Sequence, residues 1–325
     1  MYHTRKELAK YGMFDARTSM VMRRENCHDG YCCGLVRLYA CMGLHRYNLL
    51  QGTNFELDYV RRYNMTLASP AATFYITLGA TDPYSHKYLT FQTAVKEESC
   101  GVFVLTSYIA RPRGTDCKVL EREFFRIGSF PECPNENPFG NRNRFYLVDE
   151  SELQFNDWIR LYLELSVTKS DRSSKDHDLS NLKTVEVAIE TTEPPSELSL
   201  TAKNATVYIR YTYFCEARCG KNFDHIAIVR RTFIERTGRF TLDGWNESSY
   251  ILPEKTHLQN QTSEIVPEKG MSLSRKRRLS RRLVHKSWWL IMAVQCLQEP
   301  SSSSSKNKIH RISDQKVFPK KGIES

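Results

Sequence analysis

Two runs of alternating side chains constrain this chain more than any other feature. Phe74, Ile76 and Leu78 alternate with Tyr75 and Thr77; Leu89, Phe91, Thr93 and Val95 alternate with Thr90, Gln92 and Ala94. A period of two marks strands with one buried face. The intervening Thr81-Asp82-Pro83-Tyr84-Ser85-His86 is turn chemistry, so an antiparallel hairpin is predicted over Thr73–Val95. Upstream, Thr53-Asn54-Phe55-Glu56 has the form of a capping box. Glu56 and Asp58 lead, Arg61 and Arg62 trail, and Phe55, Tyr59 and Tyr63 share helical spacing. These features predict a short helix from Asn54 to Tyr63, stopped by a left-handed Asn64. Leu35, Leu38, Tyr39 and Met42 predict another amphipathic helix ahead of Gly43.

Further along, Val102–Ile109 reads as a third strand, ended by Arg111-Pro112-Arg113-Gly114. Residues 111–143 carry four prolines and read as a connection, with a short edge strand near Phe124 and Phe125. Residues 144–250 repeat the plan. Arg144–Val148 reads as a strand, and Ser151-Glu152-Leu153-Gln154 as a capping box opening about one turn of helix. Ile159, Leu161, Leu163, Leu165 and Val167 then alternate with polar neighbours; a helix would spread these five around its circumference, so a strand is predicted. Further strands are expected around Val185–Ile189, Val207–Tyr213, Ile226–Ile234 and Phe240–Leu242, the last two joined by a turn at Arg236-Thr237-Gly238-Arg239. Residues 1–33 lack a sustained period and read as a flexible arm. The proposed partition is thus 1–33, 34–110, 111–143, 144–250 and 251–325.

Charge separates the last segment from the rest. Residues 251–325 hold 15 Lys/Arg and 6 Asp/Glu, a net +9, against 32 and 31 in residues 1–250. The basic pI therefore belongs to the tail rather than to a nucleic-acid surface on the fold. The tail's five consecutive serines and few apolar residues predict disorder. Its longest uncharged apolar run, Trp288–Leu297, is about half the length a membrane-spanning helix needs, so no transmembrane segment is expected. The start of the chain lacks the apolar stretch of a signal peptide. Reduced cysteines in the nucleus or cytoplasm are the expectation.

Candidate chemistry is sparse. Cys27, His28, Cys32 and Cys33 offer soft ligands, as do Cys215, Cys219 and His225, but neither set has the paired spacing of a zinc site. No nucleophile elbow, H-E-x-x-H or phosphate-binding glycine loop occurs. Neither an enzyme nor a cofactor is expected. His45, Arg46 and Asn48 form a polar cluster that either faces a ligand or satisfies buried backbone. Arg275, Lys276, Arg277, Arg278, Arg281 and Arg282 suit an import carrier or an anion; without base-reading groups they give nucleic-acid affinity but no selection. The basic, Trp-containing stretch after Leu279 also suits calmodulin or an anionic membrane surface.

Several long blocks carry a resemblance: GLHRYNLLQGTNFELDYVRRYN, FYITLGATDP, LTFQTAV, NRFYLVDESELQFNDWIRLYLEL, LSNLKTVEVAIET, AKNATVYIRY and DHIAIVRRTF. Across Tyr39–Gly244 the chain resembles the male-sterility-five-like family, cystatin-related plant proteins without an agreed activity. The resemblance implies an α+β fold, with cystatin-like short helices packed on an antiparallel sheet in two similar halves. The functional expectation is a non-catalytic protein-interaction module, and the resemblance implies a role in reproductive or embryo development. Cystatins inhibit cysteine proteases with a Q-x-V-x-G hairpin. The corresponding stretch here, MTLASPAAT, lacks that motif.

Overall fold

A computed structural model describes residues 13–27, 32–67, 71–115, 128–170, 179–196, 198–215 and 221–248. Among the described residues ten strands form one sheet, every neighbouring pair antiparallel. In chain order the elements are β1 (Met22–Asn26), α1 (Gly34–Gln51), β2 (Glu56–Thr66), β3 (Thr73–Thr81), β4 (Tyr88–Glu97), β5 (Val104–Pro112), β6 (Tyr146–Leu147), α2 (Glu150–Phe155), α3 (Asp157–Ser170), β7 (Leu182–Glu190), α4 (Leu198–Thr201), β8 (Ala205–Cys215), β9 (Lys221–Ile234) and β10 (Arg239–Ser248). The strand order is β1-β2-β3-β4-β5-β10-β9-β8-β7-β6. Two meanders run inward from opposite edges and meet where Phe240 faces Ser107 and Leu242 faces Leu105. The α+β class and the antiparallel sheet agree with the sequence.

α1 and α3 touch each other and lie on one face of the sheet. Between helices and strands sits the main core, with Tyr39, Met42, Ile76, Leu78, Phe91, Leu163, Leu165 and Val229 at full burial. The opposite face carries two smaller clusters. Phe14, Ala16 and Met22 pack with Tyr75 and Ala94, while Phe145 packs with Ala188, Tyr208, Ile226 and Ile228.

The Thr73–Val95 hairpin appears as β3 and β4, with Ile76 facing Thr93 and Leu78 facing Phe91. Residues 104–112 supply the next strand. Two predicted elements are reversed. The stretch from Asn54 to Tyr63 is not a helix: from Glu56 onward it is β2, paired with β1 and β3 on either side. α1 continues through Gly43 to Gln51 and ends at Gly52, φ +64°, whose N–H reaches the Asn48 carbonyl. The stop that Asn64 was expected to supply therefore falls twelve residues earlier. The Thr53 hydroxyl donates to Asn48 Oδ1, at 3.0 Å, and caps nothing. Aromatic and β-branched residues after such a stop fit the pleated sheet, and two partner strands satisfy their backbone.

The run Ile159–Val167 is not a strand but the middle of α3. Ile159, Tyr162, Leu163 and Ser166 repeat at helical spacing, and Leu161 and Leu165 follow beside them, all buried. The helix spreads its apolar residues widely because α1 flanks it while β9 and β10 lie beneath it. Arg160 and Glu164 pair at i, i+4, 2.7 Å apart. The preceding turn of helix does form, but its cap is Asp149 rather than Ser151; the Asp149 N–H donates to Glu152 Oε2 at 2.8 Å. Within the segment read as an arm, residues 22–26 are β1. Asn64 Nδ2 holds the Met13 carbonyl at 2.6 Å. The edge strand expected near Phe124 and Phe125 lies outside the described residues, as do the last 75 residues with their basic cluster.

Candidate functional site

The polar cluster singled out in α1 is made of structural links. Asn48 accepts from the Phe55 N–H at 3.0 Å and donates to the Phe55 carbonyl at 2.9 Å, closing the turn from α1 into β2. Arg46 donates to the Gly238 carbonyl at 2.7 Å, tying α1 to the turn between β9 and β10. His45 Nε2 lies 2.9 Å from the Tyr162 hydroxyl, and its ring stacks on Trp158 with centroids 5.6 Å apart.

Beneath them is a residue that the sequence reading passed over. Arg231, from β9, is fully buried between sheet and helices. Its guanidinium lies 4.7 Å from the centre of the Trp158 ring and donates to the Leu200 carbonyl at 3.2 Å. No carboxylate pairs with it among the described residues, and its Nε has no acceptor. Burial, then the Arg231 charge, drives the His45 pKa well below 6.5. Burial pushes the Tyr162 phenol up to about 12. Neutral imidazole, neutral phenol and cation form a packed aromatic box whose evident role is to fix both helices to the sheet.

A cleft of about 390 Å³ opens on the other face, over β7, β8 and β9. Segment 131–136 forms one wall, and Arg144, Glu190, Tyr208 and Arg230 line the rest. Its two arginines are paired with carboxylates. Arg144 reaches Glu136 at 2.5 Å and Glu190 at 2.7 Å. Tyr208 donates to Glu190 at 2.8 Å, so burial and then that carboxylate raise the phenol's pKa. Arg230 pairs with Asp243 at 2.6 Å. Such a network can hold segment 131–136 against the sheet.

The third surface is the end of the sheet where β1 begins, β2 passes to β3 and β4 passes to β5. The Leu67 N–H donates to the Val21 carbonyl at 3.0 Å, and the Glu97 N–H to the Ala72 carbonyl at 2.9 Å, so these segments lie side by side. Met20 is 97 % exposed, with Leu67 and Val21 partly exposed beside it.

Cys27 and Cys32 lie against each other, with Cα atoms 5.1 Å apart. His28, Cys219 and the cluster Arg275, Lys276, Arg277, Arg278, Arg281 and Arg282 lie outside the described residues; His225 stacks on Tyr211. Among the described residues no helix is long and apolar enough to cross a membrane.

Comparison with known proteins adds a family context. A family model described as Protein MS5 matches residues 130–242, which include every residue lining the cleft. The UPF0725 protein At3g57210 of Arabidopsis thaliana is 69% identical over 153 residues, covering 46% of this chain and 97% of that protein. The UPF0725 protein EMB2204, from the same organism, is 41% identical over 265 residues, 78% of this chain and 79% of the relative. The crystal structure of MS5 from Brassica napus superimposes with a TM-score of 0.57 at 35% identity, covering 68% of this chain and all of that one.

Proposed function

We propose that this chain, which belongs to the UPF0725 family of plant proteins, is a non-catalytic protein-interaction module acting through the loop end of its sheet. One observation carries this reading: an apolar knob, Met20, stands in solvent beside Val21 and Leu67 in the turn that leads into β1. Grouped exposed apolar side chains mark contact surfaces. The occupant we infer is a protein partner with a concave apolar cleft, met in the nucleus or cytoplasm. At the level of the plant, the proposal extends to reproductive or embryo development.

The same end supports a second, narrower reading. Strand, helix and four strands follow in order from β1 to β5, and β6 to β10 repeat that order apart from the short α2 and α4. We read each half as a cystatin-like unit. In such a unit, three neighbouring segments at one end would form a wedge for a cysteine-protease cleft. The absence of Q-x-V-x-G between Asn64 and Phe74 weighs against inhibition.

One experiment addresses both. The full chain and a Met20→Asp, Leu67→Asp variant with an unchanged circular dichroism spectrum are used to capture partners from floral and seed tissue, and each is titrated into a papain-type protease. The expected result is a defined partner retained by the wild type and lost by the variant, with the protease left active at micromolar protein. Identical capture by both chains would overturn the loop-end assignment. Inhibition that the variant abolishes would replace the general reading with the inhibitor.

A further inference from the structure

Near the turn from β3 to β4, two tyrosines meet hydroxyl to hydroxyl. Tyr59 of β2 stands opposite Gly79 of β3, and Tyr88 of β4 stands opposite Thr81, two residues further on. Leu78 and Ala80, which alternate with Gly79 and Thr81, belong to the core beneath the helices, so Gly79 and Thr81 present the other face. The two phenol oxygens are 2.8 Å apart. Gly79 makes their meeting possible. A Cβ on it would lie 2.8 Å from Tyr59 Cε1 and 2.8 Å from the Tyr88 hydroxyl, so the pair rests over bare backbone.

Exposure sets this pair apart. Tyr59 is 39 % and Tyr88 48 % exposed, so solvent and small oxidants reach both rings. A second pair of hydroxyls, on Tyr75 and Tyr108 at 3.2 Å, has Tyr75 buried against Phe14. The hydrogen bond with Tyr88 raises the Tyr59 pKa, so Tyr59 is a neutral phenol at neutral pH and reacts by losing a hydrogen atom. The phenoxyl radical so formed carries spin on the carbons ortho to oxygen. Two rings joined ortho to ortho keep their oxygens within hydrogen-bond reach, which is the separation this pair already has.

We propose that Tyr59 and Tyr88 are a site of oxidative modification, joined ortho to ortho as dityrosine by a haem peroxidase acting with hydrogen peroxide. Each phenol gives up one electron and one proton, and together these reduce one hydrogen peroxide to two waters. The two radicals form a C–C bond between ortho carbons. The protons on those carbons pass to the oxygens and restore both phenols. The new bond staples β2 to β4 across β3, closing a loop between residues 29 apart in sequence. It lies at the opposite end of these strands from Met20 and Leu67, so the two proposals stand or fall separately.

Treating the full chain with a haem peroxidase and hydrogen peroxide, then mapping the digest by mass spectrometry, tests it. The expected product is a monomer with the blue fluorescence of dityrosine. Its linked peptides should carry Tyr59 and Tyr88 and weigh two hydrogens less than their sum. The link should raise the thermal midpoint by about 5–10 °C, as closing a loop with a disulfide does. Tyr59→Phe and Tyr88→Phe, which keep a ring over Gly79, should each lose the linked pair. Tyr84→Phe, at the more exposed tyrosine of the turn, should keep it. Gly79→Ala, which retains both phenols and pushes them off the backbone, should lower the yield severalfold. Coupling through Tyr84 into dimers, or between Tyr75 and Tyr108, overturns the proposal. So does a chain that stays unlinked while the same peroxidase couples free tyrosine, and an unchanged yield in Gly79→Ala overturns its geometric basis.

Discussion

Arg231→Ala is expected to destabilise the protein by about 2–5 kcal/mol, as truncation of a large buried side chain does, whereas Arg231→Met, which replaces a buried ion by an apolar side chain, should be neutral or stabilising. The guanidinium is fully buried. It is compensated by the Trp158 and Tyr162 rings, by the Tyr162 hydroxyl at 3.5 Å and by one carbonyl, with no carboxylate paired to it among the described residues. Truncation to alanine opens a cavity beneath α3 and strips the Leu200 carbonyl of its donor. Methionine fills much of the volume and removes the desolvated charge. Chemical denaturation of both variants decides the matter, and equal losses would show that the ion itself holds the site together. The same box sets a pH dependence. Folded His45 stays neutral well below pH 6.5, while the unfolded chain takes up a proton there. Its stability contribution is therefore complete above about pH 6.5 and falls as pH drops, by up to about 1.4 kcal/mol per pH unit. His45→Gln should flatten that slope in unfolding curves collected from neutral to mildly acidic pH.

Gly43→Ala and Gly244→Ala are the second pair of large effects. In an exposed helix interior, alanine in place of glycine gains about 1 kcal/mol. At Gly43 the sign should reverse, because an added Cβ would sit 2.4 Å from Thr93 Cβ, where α1 crosses β4. At Gly244 the added atom would meet the Ile228 carbonyl oxygen at 2.0 Å, and backbone has little freedom to retreat. Overpacking of this kind costs about 1–3 kcal/mol and sometimes more. Gly34→Ala, at the start of the same helix with open space around it, is the control and should be neutral or slightly stabilising. If Gly43→Ala matched the control in thermal denaturation, the close approach of α1 to the sheet would be wrong.

What the sequence made legible was whatever one local rule decides alone. The alternation from Phe74 to Val95 commits each face, and its turn residues leave a single register. The alternation from Ile159 to Val167 obeys the same rule and misleads, because a helix enclosed by a second helix and two strands also buries residues at i, i+2 and i+4. Thr53 and Glu56 spell a capping box, yet Asn48 captures the threonine and Gly52 has already ended the helix. Arg231 was within reach: Ala227, Val229 and Arg231 share one face of a strand that was correctly predicted, so an inward arginine followed from period two. The polar row of Arg62, Thr77, Gln92 and Arg111 could not be found that way, since these residues become neighbours only through strand pairing.

The claim beneath all of this is that both meanders belong to one sheet and unfold together across the β5–β10 seam. Amide hydrogen exchange of the full chain under native conditions measures it directly. The seam amides of 104–107 and 240–243 should exchange only with global unfolding, as slowly as those within β3–β4 and β8–β9. Rapid exchange along the seam, with each meander still protected by itself, would contradict the continuous sheet.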